Sequence, residues 1–490
     1  MSNILHLQLP LRPALPTVYG PLCYREQLAT FKRIDTLLRK SGVETELVAE
    51  ALRNRPGGFN DKVIARMFHA FRCCIAMKLT GLDPRKMAVR LADSSMLQWF
   101  TYCGEYGLTA PCSKSSLDRY LKDFDVTELS GAVDELTAQA AAADPAERLG
   151  ALNEPLPLDD VFADCTCVKV NIHFPTDWVL LVDAVKTSMH CTRRIRDQGL
   201  RHRMPDPEIF LRKANKLAIA MCATRRGPHA RRKRKDTLRE LKALNKLVEK
   251  HTRTYRDLLD REWAQTDWSR KQAEQVLARM DNILEKLPAA IHQAHERIIG
   301  ERRVPNAEKI LSLYEEDVHV IVRGKAGAEV EFGNKLYVAE QRNGVLVDWE
   351  YFKKEVPSDT SLVQRSVERM KDTLGKYPGG YVTDRGFAKA ENKAYLEANG
   401  IRDGLCARDP AELRERMKEV WYADAQKRRA STEGRIGVFK NVFLKRVMRE
   451  KGAENREQSL VWCVLAHNLW VLARMSLADE AKREAARQAA

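Results

Sequence analysis

This 490-residue chain has no two cysteines in a CxxC pair. That absence leaves no sequence basis for a zinc ribbon or a thioredoxin-type redox motif. Its eleven cysteines are Cys23, Cys73, Cys74, Cys103, Cys112, Cys165, Cys167, Cys191, Cys222, Cys406 and Cys463. Cys165 and Cys167 would share one face of a strand, but no second pair follows closely, so no zinc site is expected. No apolar run is long enough to cross a bilayer. The best, Leu460 to Met475, is interrupted by His467, Asn468 and Arg474. No basic region precedes an apolar run with a small-residue cleavage site, so no signal peptide is expected. An odd number of scattered thiols without a leader reads as a reduced, cytoplasmic protein. Internal repeats are also missing.

Acidic charge is in short supply. Asp and Glu number 67 against 83 Lys and Arg, a net charge of +16, which points to a polyanionic partner. Apolar residues at 44% and charged residues at 31% describe an ordinary globular chain, with length for about three domains.

Residues 1–24 read as an arm rich in Pro and Leu. From Tyr24 to Phe124 the pattern is helical, with stripes such as Phe31, Ile34, Leu37 and Leu38. Asp83-Pro84 and Ser113 look like helix starts. The short helix after Ser113, with Ser, Lys and Arg on its outer face, suits a helix-turn-helix type of DNA reader. Past a Pro-containing linker, Val161 to Val170 is β-branched and apolar on both faces, as in a central strand. Asp177 is placed as the cap of a helix running to about Arg196. Residues 207–300 read as one long helical segment. Within it, Arg225 to Arg256 holds thirteen Lys/Arg against Asp236, Glu240 and Glu249, a net +10. Leu238, Leu241, Leu244, Leu247 and Val248 give this cationic helix one packed face. Its charged face, including Arg231, Arg232, Lys233, Arg234 and Lys235, is expected to meet phosphates. Strands return at Val318–Val322. Asn343-Gly344 signals a type I′ hairpin, and strands near Tyr381–Thr383 and Asp403–Ala407 precede a helical C-terminal region.

Three carboxylates stand out. Asp164 lies inside the apolar strand, where a charge needs a reason. Asp384 follows a strand and precedes Gly386, on a turn. Glu433 opens a basic helical stretch in which Arg429 and Lys440 share its stripe and Arg435 follows. Hard oxygen ligands converging from separate elements suit a pair of Mg²⁺ ions, with Mn²⁺ as a substitute, for in-line chemistry on a phosphodiester.

These blocks resemble the DDE transposases of bacterial insertion sequences. Phe162-Ala163-Asp164-Cys165-Thr166 with Pro175-Thr176-Asp177 is similar to the family's first-Asp segment. Thr383-Asp384-Arg385-Gly386-Phe387 is similar to its Asp-x-Gly turn. Arg429, Glu433 and Lys440 match the spacing of a Tyr–Arg–Glu–Lys signature, with Gln426 where the Tyr would stand. Gly324-Lys325 to Phe332-Gly333-Asn334-Lys335 resembles a family hairpin, and Ala466-His467-Asn468-Leu469 a C-terminal helix motif.

The resemblance implies an α/β fold, with an RNase H-like catalytic domain, a helical N-terminal DNA-binding domain and a large helical insertion. The implied layout is an arm at 1–24, DNA-binding helices at 25–150, catalytic parts at 151–200 and 313–478, the basic insertion at 201–312 and a tail at 479–490. Asp164, Asp384 and Glu433 would carry catalysis and hold the metal. Arg429, Arg435 and Lys440 would position phosphates. The implied reaction is cleavage at terminal inverted repeats followed by 3′-hydroxyl strand transfer into double-stranded target DNA, by a homodimer. Two alternatives stay open, a nuclease that cuts without joining and a non-catalytic DNA-binding derivative.

Overall fold

The computed structural model describes residues 7–55, 58–104, 111–150, 152–223, 229–325 and 328–489. Side chains at 323–325, 328, 329 and 489 are excluded. Arg225, Arg226 and Gly327, part of the cationic run and of the hairpin read above, lie outside the described residues. The protein is mixed α/β and mainly helical, in two compact units: Met1–Lys169 with Lys335–Ala490, and Val170–Asn334.

The first unit begins with helices α1 (Leu22–Ser41), α2 (Val43–Arg53), α3 (Asp61–Thr80), α4 (Pro84–Asp93), α5 (Ser95–Phe100), α6 (Lys114–Tyr120) and α7 (Val126–Ala141), then strand β1 (Val161–Lys169). Local chemistry sets these starts. Asp83 accepts from Lys86 N–H with Pro84 in the first turn, and Ser113 accepts from Ser116 N–H. The second unit holds α8 (Asp177–Asp197), α9 (Pro207–Ala223), α10 (Ala230–Glu262), α11 (Arg270–Ala294), β2 (His319–Lys325) and the first half of β3 (Ala328–Gln341). The chain returns to the first unit with β4 (Leu346–Tyr351), α12 (Leu362–Leu374), β5 (Gly380–Thr383), α13 (Ala390–Ala398), β6 (Arg402–Leu405), α14 (Pro410–Arg416), α15 (Val420–Val438) and α16 (Ala453–Ala489).

Strand order across the first unit is β4-β3-β1-β5-β6. β3 and β4 are antiparallel, and β1, β5 and β6 are mutually parallel neighbours. β2 pairs with the first half of β3. The β3–β4 turn is a hairpin, but not type I′. Gly344 N–H donates to Gln341 O at 2.9 Å and Gly344 has φ +101°, while Asn343 is not among the residues at positive φ. A type I turn ending on a left-handed glycine, with its bulge at Ala339/Glu340, replaces the two-residue turn.

The N-terminal helices form no separate domain. α16 packs against α1, α3 and α7, and Trp462 lies fully buried with its ring 5.5 Å from both Phe71 and Phe124. One apolar core thus runs from Phe31 to Ala473 and includes the inner face of the sheet. α16 contains the one stretch among the described residues long and apolar enough to span a membrane, and 78% of that window is buried within the fold. Such an all-round apolar helix is what a central position demands. Asn468 acts there as a surrogate strand, donating to Leu346 O at 2.8 Å and accepting from Leu346 N–H at 3.0 Å.

Next to it, His467 is buried between Phe439, Phe443 and Trp470, with ring centroids 5.3, 5.2 and 6.3 Å away. Burial lowers its pKa from 6.5 to about 4. Between those values the unfolded chain binds the extra proton, so this stabilisation is present above pH 6.5 and is lost as pH falls toward 4. The loss is of the order of 3 kcal/mol. His467→Phe is expected to flatten the decline in melting temperature between neutral and mildly acid pH. An unchanged decline would assign it to other groups.

In the second unit α8 packs on α9, α10 and α11. Its apolar residues Leu181, Val185 and Met189 join Leu238, Leu241 and Ile283 in a core distinct from that of the first unit. The helical lobe therefore starts at Val170 rather than at residue 201, because α8 buries its apolar stripe against these helices. The segment 207–300 is several helices, not one. Asp177 is not the cap of α8. It occupies the first turn, where its carboxylate accepts from Arg297 at 2.8 Å and Gln293 at 2.9 Å, tying α8 to the end of α11.

Candidate active site

β1 places its residues on two faces by alternation. Val161 and Ala163 enter the main core, and Phe162 turns to the other side, where it packs with Val382 of β5 and Ala425 of α15. Asp164 and Thr166 follow Phe162 at two-residue steps, so they share that face. β1 and β5 run parallel with Val161 opposite Tyr381 and Phe162 opposite Val382. Two residues beyond the Phe162–Val382 pair stand Asp164, the fourth residue of nine-residue β1, and Asp384, which follows the end of β5; both carboxylates are half-buried.

The helix above is anchored on either side of Asp164. The Arg428 guanidinium stacks over Phe162 at 4.6 Å, and Lys440 Nζ donates to the buried Thr166 hydroxyl at 2.9 Å. Between these two anchors the helix carries Glu433, exposed, past the position of Asp164. A π-helical turn, Phe439–Phe443, follows α15, so Lys440 reaches β1 through a widened turn and not as a strict two-turn partner of Glu433. The three carboxylates thus belong to one unit, Asp164 half-buried within β1, Asp384 half-buried after β5 and Glu433 exposed on α15.

Asp384 is held by its own turn. Its Oδ1 accepts from Gly386 N–H at 2.8 Å and caps the turn Arg385–Phe387. A Cβ at Gly386 would lie 2.9 Å from Asp359 Oδ2 and 3.0 Å from Asp384 Oδ1, so the glycine leaves space between two carboxylates. Asp359 is a site residue that sequence pattern does not single out. Lys335 Nζ, buried, donates to it at 2.5 Å and also to Pro357 O at 2.5 Å. The signal was present as Lys335 in the hairpin motif and as the turn-forming run Ser358-Asp359-Thr360-Ser361, but nothing in the sequence connects the two.

Gln426 takes its own part. Its amide donates to Gly404 O at 2.7 Å, at the end of β6, and its oxygen accepts from Arg429 Nε at 3.1 Å. Gln426 thereby orients Arg429, which lies half-buried at the strand ends. Arg435 is engaged elsewhere. It donates to Arg342 O at 3.0 Å and lies 3.9 Å from Glu340, over the β3–β4 turn. Arg428 and Thr432 also bond to buried Glu340, at 3.2 and 2.9 Å, fastening α15 to β3. Of the three cations assigned to phosphate, Arg435 thus braces the hairpin, while Arg429 and Lys440 remain on the carboxylate face.

The donor set suits a hard divalent cation, because every candidate ligand is a carboxylate oxygen. Among the described residues the three carboxylates are not gathered within 4.8 Å of one another. Asp164 Oδ1 accepts from Cys165 N–H at 2.7 Å, as Asp384 Oδ1 does from Gly386.

In the second unit, α10 buries Leu238, Leu241, Val248, Tyr255 and Leu259, with Asn245 and Thr252 completing the stripe. Leu247 is 47% exposed, because steps of three drift off a 3.6-residue repeat. Many of the helix's cations have acidic partners. Arg231 and Lys235 share Glu301, and Arg256 bonds Asp281 at 2.9 Å and Asp260 at 2.9 Å. Arg234 is half-buried, with Nε among the side-chain atoms that have no hydrogen-bond partner. Arg232 and Lys233 are exposed with no ion-pair partner among the described residues. They face Arg212, Lys213 and Lys216 of α9 across a groove of about 840 Å³, which Asp236 and Glu240 also line.

The fold is that of a mixed α/β protein with a carboxylate within β1 and another just after its parallel neighbour β5. Neither a family model, nor a curated protein, nor a solved structure matches the chain.

Proposed function

We propose that the protein is a DDE-type DNA transposase. It would bind terminal inverted repeats, hydrolyse a phosphodiester to free a 3′-hydroxyl, and use that hydroxyl to attack target DNA. The observation that supports this reading is the parallel pairing of β1 with β5, in which Phe162 meets Val382, each two residues before a proposed catalytic aspartate, with α15 carrying Glu433 packed on both strands. The mixed sheet with β1 at its centre is compatible with an RNase H-like catalytic domain.

Asp164, Asp384 and Glu433 would hold Mg²⁺, which when bound supplies an activated oxygen nucleophile and offsets charge on the phosphate. Arg429, oriented by Gln426, and Lys440, steadied by Thr166, are placed to bind phosphates of the strand being cut. Asp359 and Lys335 support the Asp384 turn from the other side of Gly386. The basic groove of the second unit supplies a sequence-independent hold on DNA backbone.

Strand transfer is the decisive assay. Full-length protein is incubated with Mg²⁺, a pre-cleaved DNA end carrying a free 3′-hydroxyl, and a plasmid target. The end DNA comes from the sequences flanking the gene. Covalent joining supports the transposase. Cutting without joining would make it a nuclease, and neither activity with binding intact would make it a DNA-binding derivative.

The groove gives a separate test. Replacing both Arg232 and Lys233 by Ala is expected to weaken DNA binding about equally for all sequences. The slope of log affinity against log salt should fall by about 2. An unchanged slope would remove the groove from the DNA interface.

A further inference from the structure

A second cluster of ligating side chains lies in the N-terminal helices of the first unit, away from the carboxylates and unused by the proposed chemistry. His69 and Cys73 are four residues apart on α3 and therefore share one face. Cys112, just ahead of α6, comes to the same place. A ligand atom from each of the three lies within 4.8 Å of the other two. The Cys73 Sγ to His69 Nε2 separation is 3.5 Å. A tetrahedral zinc ion with Zn–S and Zn–N bonds of ordinary length sets that edge at roughly 3.6 Å.

The histidine is also oriented as a ligand requires. His69 Nδ1 lies 2.6 Å from Thr101 O. A carbonyl can only accept, so Nδ1 carries the proton and Nε2 is the ring nitrogen left to accept or ligate; Cys73 Sγ lies beside the ring, 3.5 Å from Nε2 and 3.8 Å from Nδ1. This is the outer-shell arrangement that fixes the tautomer of a metal-bound imidazole. The Tyr120 ring meets the His69 ring edge-on at 5.8 Å and limits its rotation.

A fourth sulfur stands close by. Cys103 is buried, two residues after the carbonyl that holds His69, and Tyr102 between them has φ +56°. A left-handed conformation is costly for a tyrosine and persists only where its surroundings demand it. Tyr102 is held there by Arg72, which donates to its hydroxyl at 3.2 Å, and the strained residue turns the chain at Cys103.

We propose that His69, Cys73 and Cys112, completed by Cys103, form a structural zinc site. Mixed imidazole and thiolate donors select zinc over magnesium or calcium, which take oxygen. Half-exposed His69 and Cys112 leave a path of entry, while Cys73 and Cys103 close the inner side. Binding releases the thiol protons to solvent as the S–Zn bonds form. The ion would fasten α3 to the end of α5 and to the start of α6.

The test uses the full chain, purified without chelator and without added metal. Elemental analysis is expected to find about one zinc per chain. Exchange with Co²⁺ should give a thiolate-to-cobalt charge-transfer band and the visible bands of a tetrahedral site. Cys112→Ser is chosen because the residue is only half-buried. It should lose the zinc and the charge-transfer intensity while its circular dichroism stays that of the folded protein. His69→Gln should do the same, which separates ligation from the loss of a thiol. A folded wild-type chain with no zinc and no cobalt bands would overturn the proposal. So would a Cys73–Cys112 disulfide found by mass spectrometry in protein kept under reducing conditions. These readouts do not involve DNA cleavage, so they stand or fall separately from the transposase reading.

Discussion

Asp384→Asn is expected to reduce DNA cleavage on the order of 10³-fold or more while leaving DNA affinity within about twofold. The substitution is close to isosteric, and the amide oxygen can still accept the Gly386 N–H bond that holds the turn at 2.8 Å. The strand-end geometry therefore survives, and only the negative charge and one anionic oxygen ligand are removed. Asp164 in β1 and Glu433 in α15 keep their places, so the loss isolates the charge at Asp384. On the proposed reading affinity rests on cations such as Arg232 and Lys233 in the other unit, and it should not change. The measurement is single-turnover cleavage of end DNA with Mg²⁺, paired with equilibrium binding in its absence. Cleavage at the wild-type rate would eliminate the carboxylate mechanism. Loss of binding together with cleavage would show that the variant had failed to fold.

The second large effect concerns stability. Arg72 is fully buried in α3, where it makes hydrogen bonds with both oxygens of Glu44 and bonds Asp35 at 2.8 Å and the Tyr102 hydroxyl at 3.2 Å. Its guanidinium lies over the Phe100 and Tyr102 rings at 4.9 and 5.2 Å. Glu44 is 1% exposed and Asp35 7%, so neither can recover hydration when the arginine is removed. Arg72→Met should cost about 3–5 kcal/mol, because it leaves the buried Glu44 carboxylate without its cation, whereas Asp35 keeps Arg12 and Arg39. In a unit of this size that corresponds to a fall of roughly 4–7 °C in melting temperature. Adding Glu44→Gln to Arg72→Met should restore part of the loss, since it withdraws the orphaned charge. A double variant no more stable than the single one would show that packing around the guanidinium, not charge, is what matters.

Much of the local structure was legible in the residues. Asp83-Pro84 and Ser113 start helices because their side chains cap the first turn wherever the chain goes. Val161 to Lys169 is a strand because β-branched and apolar residues on both faces suit only a central position. The hairpin after Gln341 was visible in Asn343-Gly344, but its turn type was not, since the bulge at Glu340 depends on the partner strand and on Arg428 and Thr432 holding that glutamate. Domain limits were less legible. Apolar periodicity says that a helix has a buried face without saying which helix it meets. That is why α8 joins the basic lobe, and why α1, α3 and α7 gather around α16.

The site divides in the same way. By itself the sequence determined the candidates: a carboxylate within an apolar strand, another on an Asp-x-Gly turn, a third in a basic helical stretch, and an excess of cations from Arg225 to Arg256. These follow from residue type and short spacing, which no tertiary contact can alter. Only the tertiary structure decided which of them meet. The parallel pairing of β1 with β5 brings together the strand that carries Asp164 and the strand that precedes Asp384, 220 positions apart in sequence, and the turn at Gly386 packs against Asp359, which no spacing marked. The same packing commits Arg435 to a hairpin and Arg231 and Lys235 to Glu301, while leaving Arg232 and Lys233 exposed. It also collects His69, Cys73 and Cys112, spread over more than forty residues, around one point. The physical reason is common to all three cases. Side chains converge through strand pairing and helix packing, and those depend on every apolar face of the chain at once, not on the residues that converge.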